Sequence, residues 1–290
     1  MDYLPNDHRI VYLNGEFVRA CDARISPFDR GFLFADGVYE MTSVLNGKLI
    51  DNTAHLQRLE RSLAELKIAL PCSIDNIARY QAELIMRNGL REGALYLQIT
   101  RGAADRDFAF PKSATPTLFM FTQQKALIDN PLAVTGLKVI TLEDIRWKRR
   151  DIKTVALLAA SMAKQAALDA GVNDAWLVEE GFITEGSSNN VYLLTEDDVV
   201  VTRAASPAIL DGVTKGTVLG LAQQLGLKVE ERPFTPGEAY AAKEAFLTSA
   251  TTFALPVVEI DGHIIGDGKP GPVARQIREK YIQAALASNG

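Results

Sequence analysis

Cysteine, histidine and long apolar runs are scarce in this sequence, and each scarcity excludes a class of protein. The two cysteines, Cys21 and Cys72, are too few for a disulfide framework and fit a reducing compartment. The three histidines, His8, His55 and His263, stand far apart without an H-E-x-x-H motif, so no metal site is predicted. No stretch reaches the roughly 18 consecutive apolar residues of a membrane-spanning helix.

Export and nucleic-acid signals are also missing. The first ten residues, MDYLPNDHRI, lack the basic and apolar segments of a secretory signal. The net charge of −5 argues against a nucleic-acid partner, because phosphate-binding surfaces are usually basic. We therefore expect a soluble, cytoplasmic protein that contacts neither membrane nor nucleic acid.

The chain is nevertheless apolar enough to build a core. Hydrophobic residues make up 47% of it, which excludes an intrinsically disordered chain. The polar stretch that follows residue 122 carries an Asp-Asn-Pro sequence and is the best linker candidate. We predict a small N-terminal α/β domain over residues 1–122, an interdomain linker over 123–136 and a large C-terminal domain over 137–290.

Local patterns in the first half predict strands around two helices. Asn14-Gly15 and Asn46-Gly47 each separate two apolar runs, and Asn-Gly favours the type I′ turn of a β-hairpin. Thr53 is placed to cap a helix whose leucines recur three and four residues apart. These patterns predict hairpins and amphipathic helices in one domain.

The second half mixes the same elements. An alanine-rich segment predicts a helix over residues 152–170, and another helix is expected from about Lys215. Strands are predicted over 190–194 and 199–202. Because strands and helices do not alternate strictly, an α+β fold is favoured over a doubly wound parallel sheet.

Two short motifs match known patterns without their structural context. Gly266–Gly271 matches G-x-G-x-x-G, but the βαβ unit that this motif requires does not accompany it. Ser161–Lys164 matches S-x-x-K, but neither S-D-N nor K-T-G is present. Neither motif is assigned a function.

A charged segment that leads into the alanine-rich helix is less easily dismissed. Six charged residues lie between Arg146 and Lys153, and a cationic cluster at a helix start opposes the helix dipole unless an anion is near. Downstream, Glu185 precedes small polar residues, and 211–216 places glycines and a hydroxyl at a helix start that can hold a phosphate. A phosphorylated aldehyde cofactor would need such an amine, carboxylate and anion site. Solvated charges and turns also explain each part separately.

Six blocks, taken in order, resemble the class IV (fold type IV) aminotransferases, and most closely the D-amino acid aminotransferases. Singly the blocks are weak, but their order is specific and spans nearly the whole chain. The blocks are Asp29-Arg30-Gly31-Phe32, Asp36-Gly37-Val38-Tyr39-Glu40, His55-Leu56-Gln57-Arg58-Leu59, Thr100-Arg101-Gly102 with Arg106, Glu143-Asp144-Ile145-Arg146-Trp147 with Asp151-Ile152-Lys153, and Thr184-Glu185-Gly186-Ser187-Ser188-Asn189.

The resemblance implies a pyridoxal 5′-phosphate cofactor and assigns its contacts. Lys153 would be the catalytic residue, binding the cofactor covalently and then moving a proton at the substrate Cα. Glu185 would pair with the pyridine nitrogen. Arg58 would bind the phosphate, together with the backbone of Val213 and the hydroxyl of Thr214.

Further cofactor contacts follow from the same resemblance. Tyr39 would lie near the lysine and the cofactor, and Leu210 would pack against the pyridine face. Ser188 belongs to the block around Glu185. Ser249 and Thr251 resemble the family's last cofactor-side loop.

The expected substrate site departs from the pattern it resembles. Arg106 and Tyr39 match residues that help to hold the substrate α-carboxylate in D-amino acid enzymes. Phe108 stands where those enzymes have a histidine, and phenylalanine donates no hydrogen bond. Ala250 likewise replaces a threonine. These departures bear on the substrate range and leave the cofactor assignment unchanged.

The resemblance therefore predicts a two-domain α+β fold and a homodimer. The small α/β domain would precede a larger domain with a mostly antiparallel, β-barrel-like sheet, and a loop of one protomer would reach the site of the other. The expected activity is transfer of an amino group between a D-amino acid such as D-alanine and 2-oxoglutarate by a ping-pong mechanism. A branched-chain L-amino acid transaminase, an (R)-amine transaminase and an aminodeoxychorismate lyase remain as alternatives. A non-catalytic relative is disfavoured because Lys153 and Glu185 are both present.

Overall fold

The computed structural model describes residues 9–287, which form two compact units. The first unit consists of residues 9–126 together with Ile152–Ala156. The second consists of Leu127–Asp151 and Leu157–Ala287. The short segment that carries Lys153 therefore belongs to the first unit, although both of its sequence neighbours belong to the second. In residues 9–287, no helix has the length and apolar character needed to cross a membrane.

The first unit is built on a six-stranded antiparallel sheet with strand order β2-β1-β6-β5-β3-β4. The strands are β1 (Ile10–Leu13), β2 (Glu16–Arg19), β3 (Gly37–Leu45), β4 (Lys48–Leu49), β5 (Glu92–Thr100) and β6 (Thr117–Gln124). The helices are α1 (Arg30–Phe34), α2 (Asn52–Glu65) and α3 (Ile74–Arg87).

Both predicted hairpins of this unit are confirmed. Asn14 and Gly15 have φ angles of 49° and 104°, and they connect β1 to β2. Asn46 and Gly47, at 52° and 78°, connect β3 to β4 in the same way. Asparagine and glycine tolerate this left-handed backbone, which explains why the dipeptide identifies the turn.

The predicted α2 is confirmed, but the predicted cap is wrong. Leu56, Leu59 and Leu63 are buried in the core of the first unit, as their spacing indicates. The N-cap is Asp51 rather than Thr53. Asp51 has a left-handed φ of 55° and makes no side-chain capping bond, because the chain leaves the β3–β4 hairpin directly into the helix.

The two faces of β3 have different environments, because successive side chains point to opposite faces of a strand. Val38 and Glu40 are buried on the face that packs against α2. Tyr39 lies on the other face, where it is half-buried beside Tyr96 of β5. Strand β3 thus places Tyr39 on one face of the sheet and Glu40 on the other.

The second unit contains a nine-stranded mixed sheet with path β12-β11-β10-β13-β14-β7-β8-β9, to which β15 adds by pairing with β14. The strands are β7 (Leu137–Glu143), β8 (Asp174–Glu179), β9 (Phe182–Gly186), β10 (Asn190–Leu194), β11 (Val199–Thr202), β12 (Lys228–Glu231), β13 (Glu244–Ser249), β14 (Phe253–Ile260) and β15 (His263–Ile264). The helices are α4 (Leu132–Thr135), α5 (Leu158–Asp169), α6 (Val213–Gln224), α7 (Pro236–Tyr240) and α8 (Pro272–Ala287).

This sheet confirms the α+β class. Its strands pair antiparallel except for β7 with β14, β7 with β8, and β11 with β12, which are parallel. β9 also lies beside β10, so the sheet curls back on itself. The predicted strands over 190–194 and 199–202 are confirmed as β10 and β11.

The helix predicted over residues 152–170 is wrong in its first third, because α5 begins only at Leu158. Residues before it are held in an extended path beside β3. Val155 N donates to Gly37 O at 3.1 Å, Tyr39 N donates to Lys153 O at 3.0 Å, and Thr154 forms an antiparallel bridge with Val38. Pairing with a strand of distant sequence thus overrides the local helix propensity.

Candidate active site

Lys153 is fixed at both its backbone and its amine end within the first unit. Ile152 is buried in the core of this unit, and Lys153 N donates to Ser62 Oγ of α2 at 3.4 Å. The Lys153 Nζ atom lies 4.2 Å from the centroid of the Tyr39 ring. The strand pairing with β3 therefore presents the lysine amine on the same face of the sheet as Tyr39.

Tyr39 begins a row of stacked rings on that face. Its ring stacks on Tyr96 at a centroid distance of 5.6 Å, and Tyr96 stacks on Phe121 at 4.9 Å. Burial raises the pKa of Tyr96, whose hydroxyl donates to Gln98 Oε1 at 2.8 Å. The Tyr39 ring bounds the lysine amine on one side, and stacking on Tyr96 holds that ring in place.

Arg58 is held by a buried carboxylate on the opposite face of β3. Arg58 Nε and Nη2 donate to the two carboxylate oxygens of Glu40, each at 2.8 Å, and His55 Nδ1 lies 2.7 Å from Glu40 Oε2. Burial alone would raise the pKa of Glu40, but Arg58 and His55 outweigh it and lower that pKa to about 2. This bidentate pair fixes the guanidinium plane, as phosphate recognition by arginine requires.

Glu185 is the buried carboxylate of the second unit. Only 4% of its surface is exposed, and Arg146 Nη1 donates to its Oε1 at 2.6 Å. Burial raises the pKa of Glu185 against the opposing effect of Arg146. A further cationic partner would stabilise the ionised form of such a carboxylate, and a protonated pyridine nitrogen is a partner of that kind.

Carboxylates of the chain itself compensate the positive charges of the arginines before α5. Arg146 is held by Asp144 at 2.8 Å as well as by Glu185. Arg150 donates to Glu179 at 2.7 Å, and Arg149 pairs with an aspartate two residues on at 2.9 Å. The expectation that this cluster opens a helix is wrong, because α5 begins beyond it.

Asn190 connects Glu185 to the start of α6. Its Nδ2 donates to Glu185 Oε2 at 3.2 Å and to Leu210 O at 2.9 Å, while Leu210 N donates to the Glu185 carboxylate. Gly212 is the N-cap of α6 and makes no side-chain capping bond. A Cβ at Gly212 would lie 2.0 Å from Asn190 Oδ1. Only glycine therefore allows the backbone at position 212 to lie so close to the Asn190 side chain.

The start of α6 has the chemistry of an anion site. Val213 is the first helical residue and Thr214 is buried in the first turn. Backbone N–H groups in the first turn of a helix have no partner within the helix and carry partial positive charge. A phosphate placed there would accept from those N–H groups and from the Thr214 hydroxyl.

The remaining predicted cofactor contacts lie on two loops of the second unit. Ser188 is exposed at the tip of the turn after β9, where Ser187 and Asn189 both donate to buried Asp174, at 2.5 Å and 2.8 Å. Ser249 and Thr251 lie at the end of β13 and just after it, and both are partly buried. The Ser249 hydroxyl lies 2.8 Å from the Thr252 hydroxyl.

The predicted substrate residues Arg106 and Phe108 lie on an exposed loop between β5 and β6 of the first unit. The Arg106 guanidinium lies 5.5 Å from the Phe34 ring and 5.4 Å from the Phe108 ring. Within this unit the loop residues are distinct from the group formed by Lys153 and Tyr39 on the sheet.

Sequence reasoning missed three supporting residues. Glu40 lies within the recognised D-G-V-Y-E block, and strand alternation could have placed it on the buried face opposite Tyr39. A buried carboxylate needs a cation, so Arg58 follows as its partner. The Asp174 support and the Asn190 link depend on long-range packing, and no local pattern indicates them.

Comparison with known proteins identifies the family. The model for amino-transferase class IV matches residues 37–260. The chain is 38% identical to D-alanine aminotransferase of Bacillus licheniformis, over 96% of this chain and 97% of that protein. It is 36% identical to D-alanine aminotransferase of Staphylococcus aureus strain N315, over 94% of this chain and 98% of that protein.

A solved structure agrees in fold. The branched-chain aminotransferase from the archaeon Thermoproteus uzoniensis, solved with norvaline, has a TM-score of 0.84 and 24% identity, over 97% of this chain and 95% of that chain. The chain belongs to the class IV aminotransferases. It is an aminotransferase of the fold type IV class, and its cofactor is pyridoxal 5′-phosphate. The buried Glu185 carboxylate and the uncapped start of α6 fit that cofactor's ring nitrogen and phosphate.

Proposed function

We propose that this enzyme is a D-amino acid transaminase that exchanges an amino group between a D-amino acid, such as D-alanine, and 2-oxoglutarate by a ping-pong mechanism. The observation that carries the proposal is the Lys153 amine, held 4.2 Å from the Tyr39 ring centroid. The preference for D-substrates is supported by the two D-alanine aminotransferases described above, which match almost the whole chain.

Each proposed role follows from the setting of the residue. When bound, pyridoxal phosphate supplies the electron sink that stabilises negative charge at the substrate Cα. Lys153 is the proposed catalytic residue, whose Nζ would hold the cofactor and would then take up and return the substrate Cα proton. Glu185, which Arg146 and Asn190 keep in place, would hold the proton on the pyridine nitrogen.

The phosphate and ring contacts complete the proposed cofactor site. Arg58, oriented by Glu40, would donate to the phosphate, and the N–H groups at Val213 and Thr214 are the other proposed phosphate donors. Leu210 would pack against the cofactor ring. Other proposed cofactor contacts are Tyr39, Ser188, Ser249 and Thr251.

Arg106 is proposed to bind the substrate α-carboxylate, and Tyr39 and Phe108 are the other proposed substrate-site residues. A guanidinium matches a carboxylate with two parallel hydrogen bonds. Arg106→Ala should raise the KM for D-alanine by about ten- to a hundredfold, since a charge-assisted hydrogen bond contributes about 1.5–3 kcal/mol. An unchanged KM would remove Arg106 from the substrate site.

A homodimer in the cytoplasm is also proposed. Large apolar side chains are exposed on both units, among them Phe32 at 78% and Leu158 at 76%. Association of two copies would remove such side chains from water. The two cysteines are free thiols, in keeping with a reducing compartment.

The substrate proposal is tested with a panel of D- and L-amino acids and 2-oxoglutarate. We expect turnover with D-alanine and other D-amino acids, and Lys153→Ala should abolish it. Turnover of L-leucine without turnover of D-alanine would instead place the enzyme with the branched-chain transaminases. The likeness to the branched-chain structure concerns the fold alone at 24% identity.

A further inference from the structure

Three arginines and three phenylalanines alternate in one continuous stack in the first unit. Their guanidinium–ring distances are 3.7 Å for Arg101 and Phe110, 5.9 Å for Arg30 and Phe110, 4.4 Å for Arg30 and Phe34, 5.5 Å for Arg106 and Phe34, and 5.4 Å for Arg106 and Phe108. We call these six residues the Arg–Phe stack. It runs from the buried Arg101 to the exposed Arg106.

The buried end of the Arg–Phe stack is firmly anchored. Arg101 donates to both oxygens of Asp36, at 2.7 Å and 3.0 Å, and Arg30 donates to the same carboxylate at 2.8 Å. Arg101 also donates to the main-chain oxygens of Leu66 and Lys67 at the end of α2. The buried Arg30 and Arg101 thus share the Asp36 carboxylate, and these hydrogen bonds fix the positions of both guanidinium groups.

The loop that carries Arg106 is attached to these two guanidinium groups on both sides of Phe108. Phe110 lies 3.7 Å from the Arg101 guanidinium, and Arg30 Nη1 donates to Asp107 O at 2.6 Å. The loop is otherwise exposed. Its position therefore depends on the Arg–Phe stack.

Arg106 at the exposed end has aromatic neighbours where an ion pair would be expected. Among residues 9–287, its contacts are the rings of Phe34 and Phe108, which pack edge to face at 5.8 Å. Rings contact the face of a guanidinium and leave its N–H edge available to an anion. Arg106 is itself exposed, so this edge can be reached from solvent.

We propose that Phe34 and Phe108 are positioning residues that hold the Arg106 guanidinium ready for the substrate carboxylate. A free arginine side chain loses considerable rotamer freedom when it binds, and stacking between two rings removes part of that loss beforehand. Phe108 thereby replaces, by stacking, the hydrogen-bond donor that histidine would provide. This inference rests on the proposed role of Arg106 in the function above.

The test compares Phe108→Leu, which removes the ring, with Phe108→Tyr, which keeps it. Phe108→Leu should raise the KM for D-alanine about two- to fivefold, as expected from one exposed cation–π contact. The double variant Phe34→Leu/Phe108→Leu should raise it about five- to thirtyfold. Because Lys153 is untouched, these variants should change KM more than kcat, and Phe108→Tyr should raise the KM less than Phe108→Leu does.

The KM of the second substrate distinguishes a loss of Arg106 positioning from general damage to the fold. The 2-oxo acid also carries the α-carboxylate, so its KM should rise by a similar factor in the same variants. Phe182→Leu, at an exposed phenylalanine of β9, is the matched control and should change neither KM. Thermal unfolding measured by circular dichroism checks that each variant is folded.

Two results would overturn the proposal. If both KM values stay at the wild-type level in the double variant while Arg106→Ala raises them, the rings do not position the arginine. If kcat falls and KM stays constant, the rings act elsewhere. Should the wild type accept only L-amino acids, D-specificity fails, but the same KM comparison with the accepted L-amino acid still decides the role of the stack.

Discussion

At the scale of single residues, the two buried carboxylates Glu40 and Glu185 differ in how far their charge is compensated. Glu40 accepts two hydrogen bonds from Arg58 and one contact from His55, and its pKa falls to about 2. Burial raises the pKa of Glu185 despite Arg146. The charge of Glu40 is thus fully compensated by its partners in the chain, whereas Glu185 can accommodate a further cation.

Glu40 should contribute a measurable acid dependence to stability. Its pKa is lowered from 4.5 to about 2 in the folded protein, so its stabilisation is complete above about pH 4.5 and is lost as the pH falls towards 2. Glu40→Gln should remove about 3 kcal/mol of this dependence. The free energy of unfolding, measured by urea titration from pH 3 to 7, should then fall less steeply below pH 4.5 than in the wild type.

The stability at pH 7, measured in the same titration, provides a second test of the Glu40–Arg58 pair. Glu40→Gln should also be less stable than the wild type at pH 7, because the buried Arg58 loses its charge partner. Equal slopes in the two proteins below pH 4.5 would show that folding does not lower the pKa of Glu40.

At the scale of elements, predictability follows the range of the interactions that build each one. The Asn-Gly hairpins and the leucine face of α2 could be predicted because two to four neighbouring residues determine them. The path of residues 152–157 could not, because it depends on pairing with β3, more than a hundred residues earlier. The resemblance proposes Lys153 as the catalytic residue independently of its local structure, which the helix pattern predicted wrongly.

The start of α6 gives a prediction about an element. Gly212→Ala would place a methyl group against Asn190 Oδ1 and disturb the link from Asn190 to Glu185. We expect the affinity for pyridoxal phosphate, measured by equilibrium dialysis of the apoenzyme, to fall by about tenfold, as for the loss of one hydrogen bond of about 1–1.5 kcal/mol.

Gly216→Ala is the matched control in the same helix. Gly216 has open space around its Cα, and alanine favours a helix interior over glycine by about 0.5–1 kcal/mol. This variant should melt slightly higher and keep the wild-type affinity for the cofactor. A similar loss of affinity in both variants would mean that α6 itself, and not the Asn190 contact, is sensitive.

At the scale of the whole molecule, the resemblance predicted more than local patterns did. Composition excludes several classes of protein, such as disulfide-rich and disordered chains, but it does not indicate which reaction the protein catalyses. The ordered blocks identified the family, and the family comparison confirmed it over residues 37–260. Strand alternation could have indicated Glu40, whereas Asn190 and Asp174 required the structure, because they pair with residues on other strands or loops.

The proposed dimer is also tested at this scale. Sedimentation equilibrium should give a mass about twice that of the 31.7 kDa chain. A charge at the exposed Phe32, in Phe32→Glu, should shift the protein towards the monomer, because an interface core rarely contains an unpaired charge. Met86→Glu, on the exposed surface of α3, should leave the mass unchanged. A wild-type mass of one chain would contradict the dimer.

The central claim, a D-amino acid transaminase that works through Lys153, is tested most directly by one half-reaction. The purified protein should be yellow from bound cofactor, and D-alanine without any 2-oxo acid should bleach the visible band, whereas L-leucine should not. Lys153→Ala should show neither the wild-type band nor bleaching. Bleaching by L-leucine alone, or an unchanged band with every amino acid, would contradict the account.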